Sequence, residues 1–243
     1  MARISLVDVD VIFRIFDAGQ RSFTRRLRPW GRENLGLDIQ ALDGITLTLE
    51  PGSRIALLGS NSSGKTTLLR VMAGLVPPGR GSASLEGKAS AVFSMGFGAL
   101  PEANLADLAY AQGLLMGFSR PEARAKVDEI LDFAELGAQA KCPPHIAPPG
   151  VLSRLGTAAA LCLGADILLL DEVLENMDPY FHNKFEAAIT ERIDGGAILV
   201  MAERSRSLLS RFCSEAVLLR DGRIDTRAPL HRILPGYGAS LTF

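Results

Sequence analysis

Within the stretch GSNSSGKTT, Gly59, Gly64, Lys65 and Thr66 follow the order Gly-x-x-x-x-Gly-Lys-Thr, a spacing suited to gripping a chain of phosphates. The two glycines permit a turn whose main-chain N–H groups converge on phosphate oxygens, and a helix beginning there adds its positive end. Ser60, Asn61, Ser62, Ser63 and Thr67 complete the candidate cradle. Lys65 is placed to reach the β- and γ-phosphates, and the Thr66 hydroxyl to ligate Mg²⁺. A second acidic feature lies in ILLLDE, where an apolar run ends in Asp171 and Glu172. Asp171 suits a metal held through water, and Glu172 could take a proton from an attacking water. Lys65 and Glu172 are therefore catalytic candidates, with Thr66 and Asp171 the metal candidates, and the pair of features points to hydrolysis beyond binding.

The elements around these residues are legible from periodicity. SRIALLG is a short apolar run before the glycine loop and reads as a buried strand; from Ser62 to Ala73 the period is helical. The N-terminal stretch alternates as a strand around Val9–Phe16, and ALDGITLTLEPG alternates to a Pro-Gly turn. GSASLEGKASAVF reads as short strands. Helical spacing returns between Pro101 and Leu136, with a start signal at SRPEA, and KCPPHIAPPG interrupts it. Helix LGTAAALCLG, strand DILLLDE, a helix near Pro179–Arg192, strand AILVMA and a hairpin in SEAVLLRDGRI follow. Strands alternating with helices predict an α/β fold with a mostly parallel sheet, with the block at about 101–162 as an inserted helical subdomain in a single domain of 243 residues.

Bulk properties narrow the class. With 47% hydrophobic residues the chain can bury a sizeable core. A formal charge of −1 gives no global field for nucleic acid, so none is expected as a partner. Cys142, Cys162 and Cys213 are widely spaced and read as buried reduced thiols. No apolar run approaches the roughly 18–20 residues that cross a bilayer, so any membrane contact is expected to be peripheral. Arg21, Arg25, Arg26, Arg28 and Arg32 cluster around Trp30 at about 18–35. That segment is either a solvated loop or a basic element resting on anionic headgroups or a partner.

The order of these motifs resembles the nucleotide-binding subunits of ABC transporters, and more narrowly the branch exporting capsule, O-antigen and teichoic acid. The resemblance covers nearly the whole chain through GSNSSGKTTLLRVMAG, GFSRPEARAKVDEILDFAELG, ADILLLDEVLENMD and AVLLRDGRI. It implies a phosphate-loop ATPase core with an antiparallel β subdomain, and ATP with Mg²⁺ as ligands. The implied partners are a second nucleotide-binding subunit, identical or different, and a membrane permease subunit at the cytoplasmic face of the inner membrane. The resemblance places Asp178 in the dimer-facing D-loop and an adenine-stacking aromatic at Phe13, or else Phe16. The basic segment falls where those exporters carry an element near the membrane.

The chain also departs from that pattern. Counting back from Asp171, the signature serine falls at Pro148, leaving Gly150, with Arg154 keeping the arginine expected soon after. Proline supplies neither hydroxyl nor N–H. LSRLG at 152–156 resembles the signature but lies about five residues too close to Asp171. Where the family has a histidine at the γ-phosphate, this chain has Glu203, or Arg204 with a one-residue shift. A glutamine expected near Gly96–Gly98 is absent. The resulting expectation is an exporter ATPase with slow hydrolysis; the alternative is a regulatory or scaffold subunit that hydrolyses little.

Overall fold

The computed structural model describes residues 2–15, 37–93, 103–174 and 179–237. Phe16, the basic segment at 18–35, Gly96–Gly98 and Asp178 lie outside the described residues.

Two sheets organise the chain. β1 (Arg3–Ile15) pairs antiparallel with β2 (Leu37–Leu49) on one side and, across the sheet, with β4 (Arg80–Glu86). The first strand thus starts six residues before the sequence-based boundary at Val9. The second sheet runs β5-β6-β7-β3-β8-β9. Its members are β3 (Arg54–Leu58), β5 (Ala89–Phe93), β6 (Ile167–Asp171), β7 (Ile198–Ala202), β8 (Glu215–Arg220) and β9 (Arg223–Pro229). All pairs are parallel except the closing β8–β9 hairpin.

The central strands read as unbroken apolar runs because both faces are covered. Along β6, Leu168 and Leu170 enter one core while Ile167 and Leu169 enter the other. Leu199 and Met201 of β7 likewise face away from Ile198 and Val200. One core holds α1 (Lys65–Met72), which contributes Leu68, Leu69, Val71 and Met72 between the two sheets. On the other face lie α2 (Leu105–Leu115), α3 (Arg120–Phe133), α4 (Pro149–Cys162), α5 (Pro179–Asp194) and α6 (Arg206–Phe212). A short α7 (Leu230–Ile233) follows β9.

The start signals in the helical block work as local chemistry requires. Asn104 Oδ1 accepts from the Asp107 N–H at 3.0 Å, and Asp107 Oδ2 accepts from the Asn104 N–H at 3.0 Å. That reciprocal pair is a capping box. At α3 the Ser119 N–H donates to Glu122 at 2.9 Å, the SRPEA signal realised. α4 begins inside the proline-rich stretch, earlier than expected: Pro148 is its N-cap and Pro149 its first residue. Proline suits that position because no intrahelical N–H is needed there. The end of α4 belongs as much to the sheet as to the helical block, since Ala158–Leu161 are buried in the same core as Leu168 and Leu170.

The cysteines need a correction. Cys213 is buried, but Cys142 and Cys162 are only partly so; all three are free. Burial pushes the Cys162 thiol up to about 11 and that of Cys213 to about 12, so both are protonated at neutral pH.

α5 is fixed to the helical block by aromatic contacts. Phe185, fully buried, meets Phe133 edge-on at 5.5 Å between ring centroids and Phe181 at 5.4 Å. Phe185→Ala is expected to destabilise the protein by roughly 3–5 kcal/mol through lost transfer energy and a residual cavity, read as a lowered urea midpoint.

Candidate functional site

The site lies at the carboxyl ends of β3, β6 and β7, the rim where ligands bind in open α/β sheets. β3 delivers the chain into the glycine loop, and α1 starts at Lys65 directly after Gly64. Both outer glycines are obligatory. A Cβ on Gly59 would sit 2.4 Å from Ser63 Oγ and 2.5 Å from the Leu219 carbonyl, and φ there is 148°. A Cβ on Gly64 would sit 2.7 Å from the Ala41 carbonyl, with φ at 104°. Ser62 adopts φ of 65° without being a glycine, a left-handed conformation that costs a β-carbon-bearing residue roughly 1–2 kcal/mol. Backbone outliers of this kind gather at ligand sites.

The loop borders a cleft of about 470 Å³, within the usual range for small-molecule sites. Asn61, Ser62, Gly64, Lys65, Thr66 and Thr67 line it from the loop and helix. Gly59 and Ser63 are buried behind that wall, and Ser60 is exposed but does not line the cleft. Lys65 Nζ donates to the Gly59 and Ser60 carbonyls at 2.8 and 2.9 Å, so the ammonium spans the loop from within. Ser63 is buried with its hydroxyl unpartnered among the described residues.

The carboxylates converge on the same cleft. Thr66 Oγ1 donates to Asp171 Oδ2 at 2.7 Å, joining residues 105 positions apart. Burial raises the Asp171 carboxyl above the ordinary range, Glu172 adds to the rise, and the Thr66 hydrogen bond and the Lys65 and Arg70 charges oppose it. Burial also lowers the Lys65 ammonium, against the attraction of Glu172 and Asp171. A buried acid disfavoured as an anion, beside a threonine hydroxyl, is the donor set a hard cation would satisfy. Among the described residues no three His, Cys, Asp or Glu side chains cluster as a metal cage. A Mg²⁺ held here would take its remaining ligands from water and phosphate, its usual preference.

Glu172 also lines the cleft, with its backbone in the left-handed region at φ 51°. Its N–H donates to the Ala202 carbonyl at 2.8 Å, which ties the end of β6 to the end of β7. Arg204 Nε and one terminal nitrogen donate to the two Glu172 oxygens at 3.0 and 3.2 Å.

That pair corrects the reading of the position after β7. Glu203 was expected as the residue at the γ-phosphate, yet it does not line the cleft. Its carboxylate is buried, and Oε1 accepts from the Val173 and Leu174 N–H groups at 2.8 Å each. Consecutive side chains leaving a strand face opposite ways, so once residue 203 turns inward, 204 turns toward the cleft. Arg204, the one-residue-shifted alternative, lines it.

Phe13 forms the opposite wall, 40% exposed and paired across strands with Ile39, which also lines the cleft. Sequence reasoning did not identify Ile39, Gln40, Ala41, Arg70 or Phe93 as lining residues. Arg70 had a usable signal, four residues after Thr66 and so on the same helical face. The strand residues had none, because register across a sheet is not written locally.

Pro148 is exposed at the start of α4, so the first two residues of that turn offer no N–H at all. Arg154, the arginine expected near the signature, stacks over Phe181 at 3.6 Å and donates to the Ala134 carbonyl, and so ties α4 to α3 and α5.

A glycine cradle, a lysine within it and two consecutive acids at the end of β6 define a phosphate-loop nucleotide-binding cassette. The ABC transporter family profile matches residues 42–175, over half the chain. The chain is 32% identical to the O-antigen export system ATP-binding protein RfbE of Yersinia enterocolitica, over 92% of its own length and 97% of that protein's. It is also 32% identical to the O-antigen export system ATP-binding protein RfbB of Myxococcus xanthus and 28% identical to the teichoic acids export ATP-binding protein TagH of Bacillus anthracis. It spans only 43% and 36% of those two longer proteins. In fold it is similar to the dimeric post-hydrolysis structure of the cassette MJ0796 bound to ADP and Pi, with a TM-score of 0.71 at 19% identity over 93% of this chain and 98% of that one. The protein belongs to the ABC transporter family, as an ATP-binding subunit with the α/β cassette fold.

The buried Asp171 gives the site a pH signature. Its folded pKa lies above its unfolded one, so the cost of its charge is absent below about pH 4 and is complete only above the folded value. Asp171→Asn is therefore expected to gain stability over the native protein progressively as pH rises from 4 to 7, measured as the difference between their urea midpoints at each pH.

Proposed function

We propose that this chain is the ATPase of an exporter that moves a polysaccharide or glycolipid through separate membrane subunits. It binds ATP and Mg²⁺ and pairs with a second nucleotide-binding subunit, identical or different. The observation that carries the reading is the Thr66–Asp171 contact beside Lys65 and Glu172, at the rim of one cleft. The names of its relatives, which export O-antigen and teichoic acid, support the substrate class. No helix among the described residues is long and apolar enough to cross a membrane; peripheral attachment at the cytoplasmic face of the inner membrane belongs to this reading.

In this reading amides of the loop between Ser60 and Thr67 hold the phosphates, and Phe13 with Ile39 offers a flat apolar surface to the adenine. Lys65 leaves its own loop carbonyls to meet the β- and γ-phosphates. Thr66 and Asp171 would hold Mg²⁺, which would neutralise phosphate charge when bound. Glu172 takes the proton of the attacking water, and Arg204 stands at the γ-phosphate where related cassettes are expected to use histidine. Glu203 is not a catalytic group in this mechanism; it fixes the turn that aims Glu172. Asp178 remains assigned to the dimer-facing loop by resemblance alone. Pro148 weakens what this subunit lends to its partner's nucleotide, so turnover by a homodimer is slow.

Two substitutions separate binding from chemistry. Lys65→Ala is expected to abolish ATP binding by calorimetry, and Glu172→Gln to keep binding while turnover drops about 10²- to 10⁴-fold. Native turnover by the Glu172→Gln protein would sink the assignment, and export surviving Lys65→Ala in cells would sink the coupling role.

The one-residue shift after β7 has its own test. Arg204→Ala is expected to lower turnover by about 10²-fold with little change in stability. Glu203→Ala, which orphans two main-chain N–H groups, is expected to lower stability by roughly 1–3 kcal/mol. Steady-state ATPase assays and urea unfolding of both variants read the contrast; the reverse pattern would restore Glu203 to the chemistry.

A further inference from the structure

The outer corner of the phosphate loop is held by a residue 178 positions downstream. The Gly59 N–H donates to Tyr237 Oη at 3.0 Å, and the Tyr237 hydroxyl donates back to the Gly59 carbonyl at 2.9 Å. The same carbonyl accepts Lys65 Nζ at 2.8 Å. Tyr237 is not part of the phosphate motif and does not line the cleft. It is placed by the turn that follows α7, where its N–H donates to the Leu234 carbonyl at 3.3 Å and Leu234 in turn donates to Leu230. Leu230 is buried, and its N–H donates to the Ser214 carbonyl at 2.9 Å, which anchors the segment beside β8. The tyrosine body packs against the larger core, so its ring position does not depend on its hydroxyl.

Lys65 is described folded back onto its own loop, satisfying the Gly59 and Ser60 carbonyls. Its ammonium has three N–H groups and spends two on these carbonyls, so meeting both the β- and the γ-phosphate requires it to release at least one of them. A carbonyl left without a donor in a half-buried place costs about as much as the hydrogen bond gained elsewhere. At Gly59 a second donor is already seated. No side chain of its own can steady Gly59, because its conformation excludes one, so it is held through its main-chain N–H and carbonyl.

We propose that Tyr237 is a positioning residue for nucleotide binding: its hydroxyl holds the Gly59 peptide and keeps the carbonyl satisfied when Lys65 turns to the β- and γ-phosphates. The proposal rests on the ATP reading above and deepens it by extending the nucleotide site to the segment after the last hairpin. Tyr237 touches no phosphate in this scheme; it acts through Gly59 and Lys65.

The test uses the full chain and Tyr237→Phe, which keeps the ring and removes only the hydroxyl. Calorimetry with Mg-ATP and with AMP, together with melting of the nucleotide-free protein, reads the outcome. ATP is expected to bind about three- to tenfold more weakly to the variant, the size of one net hydrogen bond. AMP lacks the β- and γ-phosphates that draw Lys65 away, so its affinity is expected to stay within about twofold. The nucleotide-free melting midpoint is expected to stay within about 3 °C of the native value. Equal ATP affinity in native protein and variant overturns the proposal. So does a parallel loss for ATP and AMP accompanied by a fallen midpoint, which would make Tyr237 a structural residue only. Tyr237→Leu, which removes the ring as well, shows the size of that structural effect. If the native protein binds no ATP, the ATP reading fails and the proposal fails with it; native binding with an unaffected variant overturns the proposal alone.

Discussion

A loop that offers its amides to an anion must first find donors for its own carbonyls. The rest of the site depends on that constraint. In this protein Lys65 Nζ spans the loop from within, the Gly222 N–H reaches the Ser63 carbonyl at 3.2 Å from the hairpin turn, and Tyr237 closes the corner at Gly59. The loop is thereby held at its carbonyls, beside the cleft that Asn61, Ser62, Gly64, Lys65, Thr66 and Thr67 line. Two of these holds come from distant parts of the chain, and the glycines lie where β2 and the β8–β9 hairpin come too near for a side chain.

The same economy governs the acidic side. Glu203 is buried to hold two main-chain amides, and that holds the turn on which Glu172 sits in a left-handed conformation. Asp171 gives up hydration to stand beside Thr66. The Asp171 arrangement costs stability in the absence of a ligand, and binding of a cation and phosphates would return part of that cost.

Much of this was legible in the sequence, for physical reasons that differ from element to element. The phosphate loop was readable because its requirement is local: two glycines, a lysine and a threonine at fixed spacing. β3, β6 and β7 were readable because strands buried on both faces carry unbroken apolar runs, and α3 because Ser119 and Glu122 form its start. What escaped depended on register or on long range. The start of α4 hid in a proline-rich stretch whose prolines turned out to be its first turn. Ile39 joined Phe13 only through cross-strand pairing. The sequence put Glu203 first after β7, with Arg204 as its one-residue-shifted alternative, and the burial of Glu203 reversed that order. Tyr237 lies 178 residues from its partner, with no spacing rule to connect them.

Placing a guanidinium where an imidazole is the family's expectation has a further meaning. Histidine changes charge near neutrality, so a cassette built around one carries a built-in sensitivity to cytosolic acidification. Arginine keeps its proton throughout that range and binds a carboxylate with two parallel contacts, as Arg204 does with Glu172. This rim of the cleft therefore keeps its positive charge across the range in which an imidazole would lose it.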